Sequence, residues 1–260
     1  MSVGRSTIRK AVTIMLNEDT RRKLRELNLS ELIEAFDIQD NDPSYMSFSL
    51  DERLMMAVDY IYQKKFNSKV QRLIKLSKFR ITNATIQAIH YADRGIDRQL
   101  MMELSTCQFI DTSTSLIFHG FTGSGKSYLA CAIGRQACMQ GIRTRYIRLP
   151  DLLTLRDEAV LTRQGITKLL KKFSSYKMLI LDEFLLNDLS DDEQHFLFEL
   201  IERRHDCTST IFCTQYKKED WHARLGGGVH ADAIMDRIVH NAVWIYSGNI
   251  NMREYYAKHK

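Results

Sequence analysis

The 260 residues suffice for one large domain, or for one standard domain with an appendage, and 44% hydrophobic against 27% charged residues exclude a disordered chain and a membrane bundle. Two prolines and 12 glycines favour helices and disfavour a mostly β protein. A net charge of +5, from 37 Lys and Arg against 32 Asp and Glu, leans toward an anionic partner.

Met1 to Leu16 carries Arg5, Arg9 and Lys10 but no apolar core of signal-peptide length, and no stretch reaches spanning length, so we expect a cytoplasmic protein without membrane association. From Glu18 to Phe36, Leu24, Leu27, Leu29, Leu32, Ile33 and Phe36 predict two short helices broken at Asn28-Leu29-Ser30. Ser49 with Glu52 is a capping box opening a longer helix through Leu54, Met55, Val58, Ile61 and Tyr62. Its continuation, Lys64 to Arg80, holds seven basic residues and no acid: Lys64, Lys65, Lys69, Arg72, Lys75, Lys78 and Arg80. Charge alone leaves open a nucleic-acid contact or a solvated helix face. Asp97 to Cys107 repeats the helical pattern through Leu100, Met101 and Leu104, and a domain boundary falls between residues 80 and 110.

From Ser115 onward short apolar runs alternate with amphipathic helices, the pattern of a parallel sheet with crossover helices. The predicted strands are Ser115 to Phe118, Thr144 to Ile147, Met178 to Leu181, Thr210 to Cys213 and Val243 to Tyr246. The predicted helices are Lys126 to Gln140, Pro150 to Glu158, Gly165 to Phe173, Ser190 to His205, opened by the box Ser190 to Glu193, and Asp232 to His240. The cysteines Cys107, Cys131, Cys138, Cys207 and Cys213 form no C-x-x-C pair, which points to free thiols rather than zinc or redox chemistry. The histidines show no metal-ligand spacing.

Gly120-Phe121-Thr122-Gly123-Ser124-Gly125-Lys126-Ser127 matches G-x-x-x-x-G-K-[ST] between a strand and a helix, where a phosphate-binding loop belongs. In such a loop backbone N–H groups surround the phosphates, Lys126 reaches the β- and γ-phosphates, and Ser127 ligates Mg²⁺. Downstream, Met178-Leu179-Ile180-Leu181-Asp182-Glu183 is an apolar strand ending in two acids. Asp182 suits the Mg²⁺ shell, and Glu183 suits a water attacking the γ-phosphate, so the pair argues for an ATPase of the additional-strand class rather than a small-molecule kinase. Gln215, at the end of the fourth strand, would then stand between the two motif strands within reach of the water or the γ-phosphate. Arg237 reads by itself as a surface ion-pair partner of Asp236 or Asp232.

Together with Tyr91-Ala92-Asp93-Arg94-Gly95-Ile96-Asp97-Arg98, Glu219-Asp220-Trp221 and the run Ala231 to Ala242, these motifs resemble the insertion-sequence transposition helpers of the IstB type, AAA+ ATPases related to the DnaC helicase loader. The resemblance covers about Asn83 to Tyr246. It implies an α/β P-loop NTPase fold of AAA+ type, with a five-stranded parallel sheet flanked by helices and a small all-helical N-terminal domain. Domains are expected at 1–80 (helical, binding DNA or a partner), 81–110 (linker and first helix) and 111–260 (ATPase). By position, the loop Gly120 to Ser127 and Asp182 hold ATP and Mg²⁺, Glu183 is the base, Gln215 is the sensor where relatives often carry Asn, and Arg237 is the arginine finger. Only 14 residues follow Tyr246, too few for the helical lid of most AAA+ proteins, so a neighbouring subunit is expected to cover the nucleotide. The implied function is an ATP-dependent helper that forms a homo-oligomeric ring or filament on double-stranded DNA and recruits the element's transposase, and no acid triad for DNA cutting is present. The rivals are a DnaC-like helicase loader and a monomeric P-loop kinase. For DNA we expect contacts from Lys64, Lys65, Lys69 and Arg72, aided by Lys168, Lys171 and Lys172.

Overall fold

The computed structural model describes residues 16–258, so the signal-peptide expectation for Met1 to Leu16 lies outside the described residues apart from Leu16 itself. No helix among the described residues is long and apolar enough to cross a membrane. The chain forms two compact units, divided between Lys69 and Val70.

In the first unit, α1 (Glu18–Glu26) starts where the Asn17 side chain accepts the Thr20 N–H at 2.8 Å. Asn28, in the left-handed region at φ +58°, breaks the chain at the expected step before α2 (Ser30–Asn41). A 3₁₀ turn at Pro43–Ser47 leads to α3 (Leu50–Ser77), one continuous helix whose box is formed, with the Ser49 N–H donating to the Glu52 carboxylate at 2.7 Å. Phe36, Ala35 and Ala57 make a small core, with Leu16, Leu32 and Tyr60 packed against it. Leu54, Met55, Val58 and Tyr62, read from the sequence as the apolar face of α3, are exposed.

The second unit carries the end of α3 and then α4 (Tyr91–Arg94), α5 (Arg98–Ser105), β1 (Ser115–His119), α6 (Lys126–Met139), β2 (Thr144–Arg148), α7 (Leu149–Val160), α8 (Gly165–Ser174) and β3 (Met178–Asp182). It continues through α9 (Asp191–Glu202), β4 (Ser209–Thr214), α10 (Lys218–Arg224), α11 (Gly228–Val239), β5 (Ala242–Tyr246) and α12 (Met252–Lys258). The strands are parallel and ordered β2-β3-β4-β1-β5, so β4 is inserted between β1 and β3 as the motif pattern required. Side chains alternate between two cores. Leu116, Phe118, Ile180, Ile211 and Cys213 face one core with Leu129 and Ile133 of α6. Ile117, Leu179, Leu181 and Phe212 face the other, with Leu152, Phe173, Leu197, Trp221 and Ile234 from α7 to α11. Cys107, Cys131, Cys138 and Cys213 are buried free thiols, and Cys207 is exposed.

Helix α11 begins four residues before the predicted Asp232, straight after Gly226 and Gly227, and the motif Glu219-Asp220-Trp221 belongs to α10, a helix not among those predicted. There Trp221 is fully buried against Phe184 and Trp244, a tertiary contact that stabilises a helix too short to persist alone.

Candidate functional site

A parallel sheet gathers the carboxyl ends of its strands on one edge, and the motif residues at the ends of β1, β3 and β4 meet there. The loop Gly120 to Gly125 leaves β1 and turns into α6 at Lys126. Its shape demands glycine at Gly123 and Gly125. Gly123 has φ +90°, and a Cβ there would overlap the Asn251 carboxamide; Gly125 has φ +91°, with a Cβ only 2.8 Å from Arg94 Nη2. Arg94 is itself buried, and its Nη2 donates to the Ser124 carbonyl at 2.6 Å and the Ser247 carbonyl at 2.7 Å. The Tyr91 to Arg98 segment therefore braces the loop from behind. From the other side the Met252 N–H donates to the Gly123 carbonyl at 2.9 Å, so the segment after β5, read from the sequence only as too short for a lid domain, clasps the loop through α12.

Lys126 Nζ donates to the Gly120 and Phe121 carbonyls at 2.7 and 2.9 Å, and burial, with Arg253 nearby, lowers its pKa below the usual lysine range. Phe121 and Thr122 are exposed at the tip of the loop, whereas Ser124 is buried and its hydroxyl lies 2.6 Å from that of Ser247. Ser127 follows Lys126 in the first turn of α6. A cavity of about 270 Å³ lies against this loop, lined by Gly123, Gly125, Lys126, Ser127 and Arg80, and by the larger side chains Ile81, His90, Tyr128, Met252 and Tyr256. Cationic and polar groups at the loop beside apolar and aromatic walls suit a ligand with a phosphate chain and a flat apolar part.

Asp182 closes β3, buried, accepting the Tyr146 hydroxyl at 2.6 Å and the Glu183 N–H at 2.8 Å. Burial and this carboxylate raise the Tyr146 pKa well above the phenol range, so Tyr146 is a donor at neutral pH. Glu183, in the left-handed region at φ +55°, accepts from Arg80 Nη1 at 3.1 Å and Arg148 Nη1 at 3.4 Å. Arg148 also donates to both oxygens of Asp151, at 2.8 and 2.5 Å. Gln215, just past β4, accepts the Thr122 hydroxyl at 2.7 Å and so ties the loop to the inserted strand. Among the described residues no cluster of three or more His, Cys, Asp or Glu could hold a metal. The hydroxyl of Ser127 and the carboxylate of Asp182 are a sparse oxygen set, which fits Mg²⁺, an ion that keeps several waters and takes its other ligands from substrate phosphates.

The remaining predicted residues do not join this edge. Arg237 lines a crevice with Ser115 and Thr210, at the amino ends of β1 and β4, opposite the loop. Its guanidinium pairs with Glu202, donates to the Ala233 carbonyl at 3.0 Å and sits 5.2 Å from the Phe198 ring centre. The expected pairing with Asp236 or Asp232 is absent; those acids lie beside His240 and His222 at 3.4 and 3.2 Å. Lys64 pairs with Glu34 of α2, which the charge run concealed, whereas Lys65, Lys69 and Arg72 are exposed along α3. Lys168, Lys171 and Lys172 are exposed on α8. Sequence reasoning missed Arg94, Tyr146 and Arg148 as site residues and read Arg80 only as the end of the basic run. Arg94 stood inside a quoted motif, and Arg148, at the polar end of β2, is in register with Asp182.

The family described as IstB-like ATP binding protein matches residues 22–260. The insertion sequence ATP-binding protein y4uH of Sinorhizobium fredii is 31% identical over 243 residues, covering 92% of this chain and 96% of its own. The ATP-binding protein of insertion sequence IS5376 from Geobacillus stearothermophilus is 29% identical over 88% of this chain and 90% of its own. Among solved structures, DnaI aligns with a TM-score of 0.57 at 21% identity over 70% of this chain and 100% of its own, and the DnaC helicase loader with 0.52 at 22% over 63% and 96%. AMPPCP-bound DnaA from Aquifex aeolicus aligns with 0.56 at 16% over 70% of this chain and 55% of its own. At these identities the structural likeness is one of fold, that of P-loop ATPases of AAA+ type.

Proposed function

Because this chain belongs to the family of IstB-like ATP-binding proteins, we propose that it is a cytoplasmic, ATP-hydrolysing helper of insertion-sequence transposition. It assembles as a homo-oligomer on double-stranded DNA and recruits or stimulates the transposase of the same element. The observation that carries this reading is the convergence of the Gly120 to Ser127 loop, Asp182, Glu183 and Gln215 on one edge of the sheet, with β4 between the two motif strands.

In this reading the loop N–H groups and Lys126 hold the triphosphate of ATP, and Lys126 exchanges its two carbonyl partners for phosphate oxygens. Ser127 and Asp182 hold Mg²⁺, which when bound neutralises charge on the β- and γ-phosphates. Tyr146 fixes the Asp182 carboxylate. Glu183 orients and polarises the attacking water, and Gln215, tied to Thr122, senses the γ-phosphate end. Arg237 lies at the opposite edge from its own loop, which supports a role as arginine finger in the site of a neighbouring subunit.

Residues 1–80 are assigned to DNA and partner binding, 81–110 to the linker and first helix of the ATPase domain, and 111–260 to that domain; the compact units divide earlier, between Lys69 and Val70, and Arg80 lies with the nucleotide site. Lys65, Lys69 and Arg72, spaced to share one face of α3, offer contacts to the DNA backbone, with Lys168, Lys171 and Lys172 on α8. Lys64 joins them when it leaves Glu34.

The test is capture on immobilised duplex DNA, with the transposase from the adjacent reading frame added in the presence or absence of ATP. Retention of transposase only with this chain and ATP is expected. Its absence, or retention of a hexameric helicase instead, overturns the reading in favour of a helicase loader.

A further inference from the structure

Two residues of the turn that follows β3 hold a backbone conformation that side chains other than glycine rarely take, Glu183 at φ +55° and Leu185 at φ +58°. Such a turn persists only where its surroundings fix it. The Phe184 N–H ties it to β4 by donating to the Cys213 carbonyl at 2.9 Å, and the Leu186 N–H closes it on the Glu183 carbonyl at 3.2 Å. The next two carbonyls are taken by a single side chain. Arg224, the last residue of α10, donates from Nε to the Leu185 carbonyl and from Nη2 to the Leu186 carbonyl, both at 2.7 Å. Its guanidinium also lies 3.8 Å from the ring centre of Tyr216, the residue after Gln215. A planar fork that meets two successive carbonyls at its edge and a ring at its face is a task for arginine, which the point charge of lysine does not duplicate.

The Tyr216 hydroxyl accepts from Gln215 Nε2 at 3.3 Å, while Gln215 Oε1 accepts the Thr122 hydroxyl at 2.7 Å. Both ends of the Gln215 carboxamide are thus occupied, and Arg224 connects its neighbour to the turn that carries Glu183. Helix α10 gives Arg224 a firm base, because Trp221 packs on Phe184 with ring centres 5.0 Å apart and donates to the Tyr216 carbonyl at 3.4 Å. We infer that Arg224 is a positioning residue for hydrolysis, which clamps the turn after β3 to Tyr216 and so fixes the Glu183 carboxylate relative to the Gln215 carboxamide. This rests on the function proposed above, in which those two groups address the attacking water and the γ-phosphate. Arg224 acts only through them: its hydrogen bonds end on main-chain carbonyls, and its ion pair, at 3.3 Å, is with the exposed Asp188.

The experiment measures fluorescent-ATP affinity and the maximal rate of ATP turnover, with duplex DNA present, for the full-length wild type, Arg224→Met, Arg224→Lys, Tyr216→Phe, Gln215→Ala and the double variant Arg224→Met/Gln215→Ala. Arg224→Met should keep its affinity within about twofold and lose turnover about tenfold or more, a split that a general loss of structure does not produce. Arg224→Lys should recover little of that rate. Tyr216→Phe keeps the ring beneath the guanidinium and removes only the hydroxyl that meets Gln215, so it should lower turnover severalfold with an unchanged melting temperature; it carries the test if Arg224→Met fails to fold. In the double variant the loss should be smaller than the product of the two single losses, because Arg224 acts partly through Gln215. Wild-type turnover in Arg224→Met or in Tyr216→Phe, affinity and turnover falling together, or losses that simply multiply would each overturn the positioning role. A wild type that binds ATP without hydrolysing it overturns the proposed function instead.

Discussion

Lys126 is the residue on which the proposed nucleotide binding turns. It is half-buried at the mouth of α6 and bonds two carbonyls of its own loop, partners that phosphate oxygens can replace. Lys126→Ala should abolish measurable ATP binding in a fluorescent-nucleotide titration with the fold intact, and an unchanged affinity would remove the loop from the account. Arg204 shows what a buried cation does when no ligand is involved. It is fully buried, donating to the carbonyls of Phe173, Tyr176 and Ser209 at 2.9, 2.8 and 2.5 Å and to the Thr210 hydroxyl at 2.9 Å. It thereby pins α8, α9 and the start of β4 together. Arg204→Met strands those acceptors in a dry interior and should cost roughly 3 kcal/mol or more of stability. Thermal unfolding checks this, and an unchanged melting temperature contradicts it.

At the scale of elements, the loop before α6 is gripped between α4 and α12, and Gly123 is where the grip is tightest. Gly123→Ala meets both a left-handed backbone and the Asn251 carboxamide, and should cost about 1–3 kcal/mol, felt as weakened nucleotide binding. Adding Asn251→Ala should recover the steric part and leave the backbone part. Full affinity in the single variant would show that α12 does not constrain the loop. This clasp was not legible in the sequence, although much around it was. The five strands and the loop were readable because buried parallel strands are unbroken apolar runs, as in Met178 to Leu181, and because a Gly-rich turn before Lys-Ser has few other uses. Asn28 and the boxes at Ser49 and Ser190 are local signals and stand where the pattern put them. Arg94 with Ser247, Arg80 with Glu183 and Arg237 with Glu202 join residues 153, 103 and 35 positions apart, and no spacing rule reaches that far. The exposed stripe on α3 misled for a related reason, since periodicity identifies an apolar face but not what covers it.

For the whole molecule, the residues proposed for one reaction lie on opposite edges of the same chain. Arg237 rests on Glu202 and Phe198, far along the sheet from the loop it is proposed to serve, so the proposed finger role requires a second copy. Arg237→Ala should bind ATP normally and lose turnover, by about 10³-fold or more if it acts as fingers do elsewhere. Mixing it with Lys126→Ala should rebuild interfaces that pair an intact Arg237 with an intact Lys126 and so restore part of the rate. A mixture that co-assembles without any rescue would return Arg237 to a structural pair with Glu202.

The central claim, that ATP drives this chain to assemble on DNA and that Glu183 ends each cycle, is tested most directly by sedimentation of Glu183→Gln with duplex DNA in ATP, in ADP and without nucleotide. Removing the carboxylate leaves the loop, Ser127 and Asp182 in place, so ATP should still bind and only the proposed water-polarising step should be lost. The account predicts long-lived oligomers on duplex in ATP alone, outlasting those of the wild type. Equal assembly in all three conditions, or turnover at the wild-type rate, would contradict it.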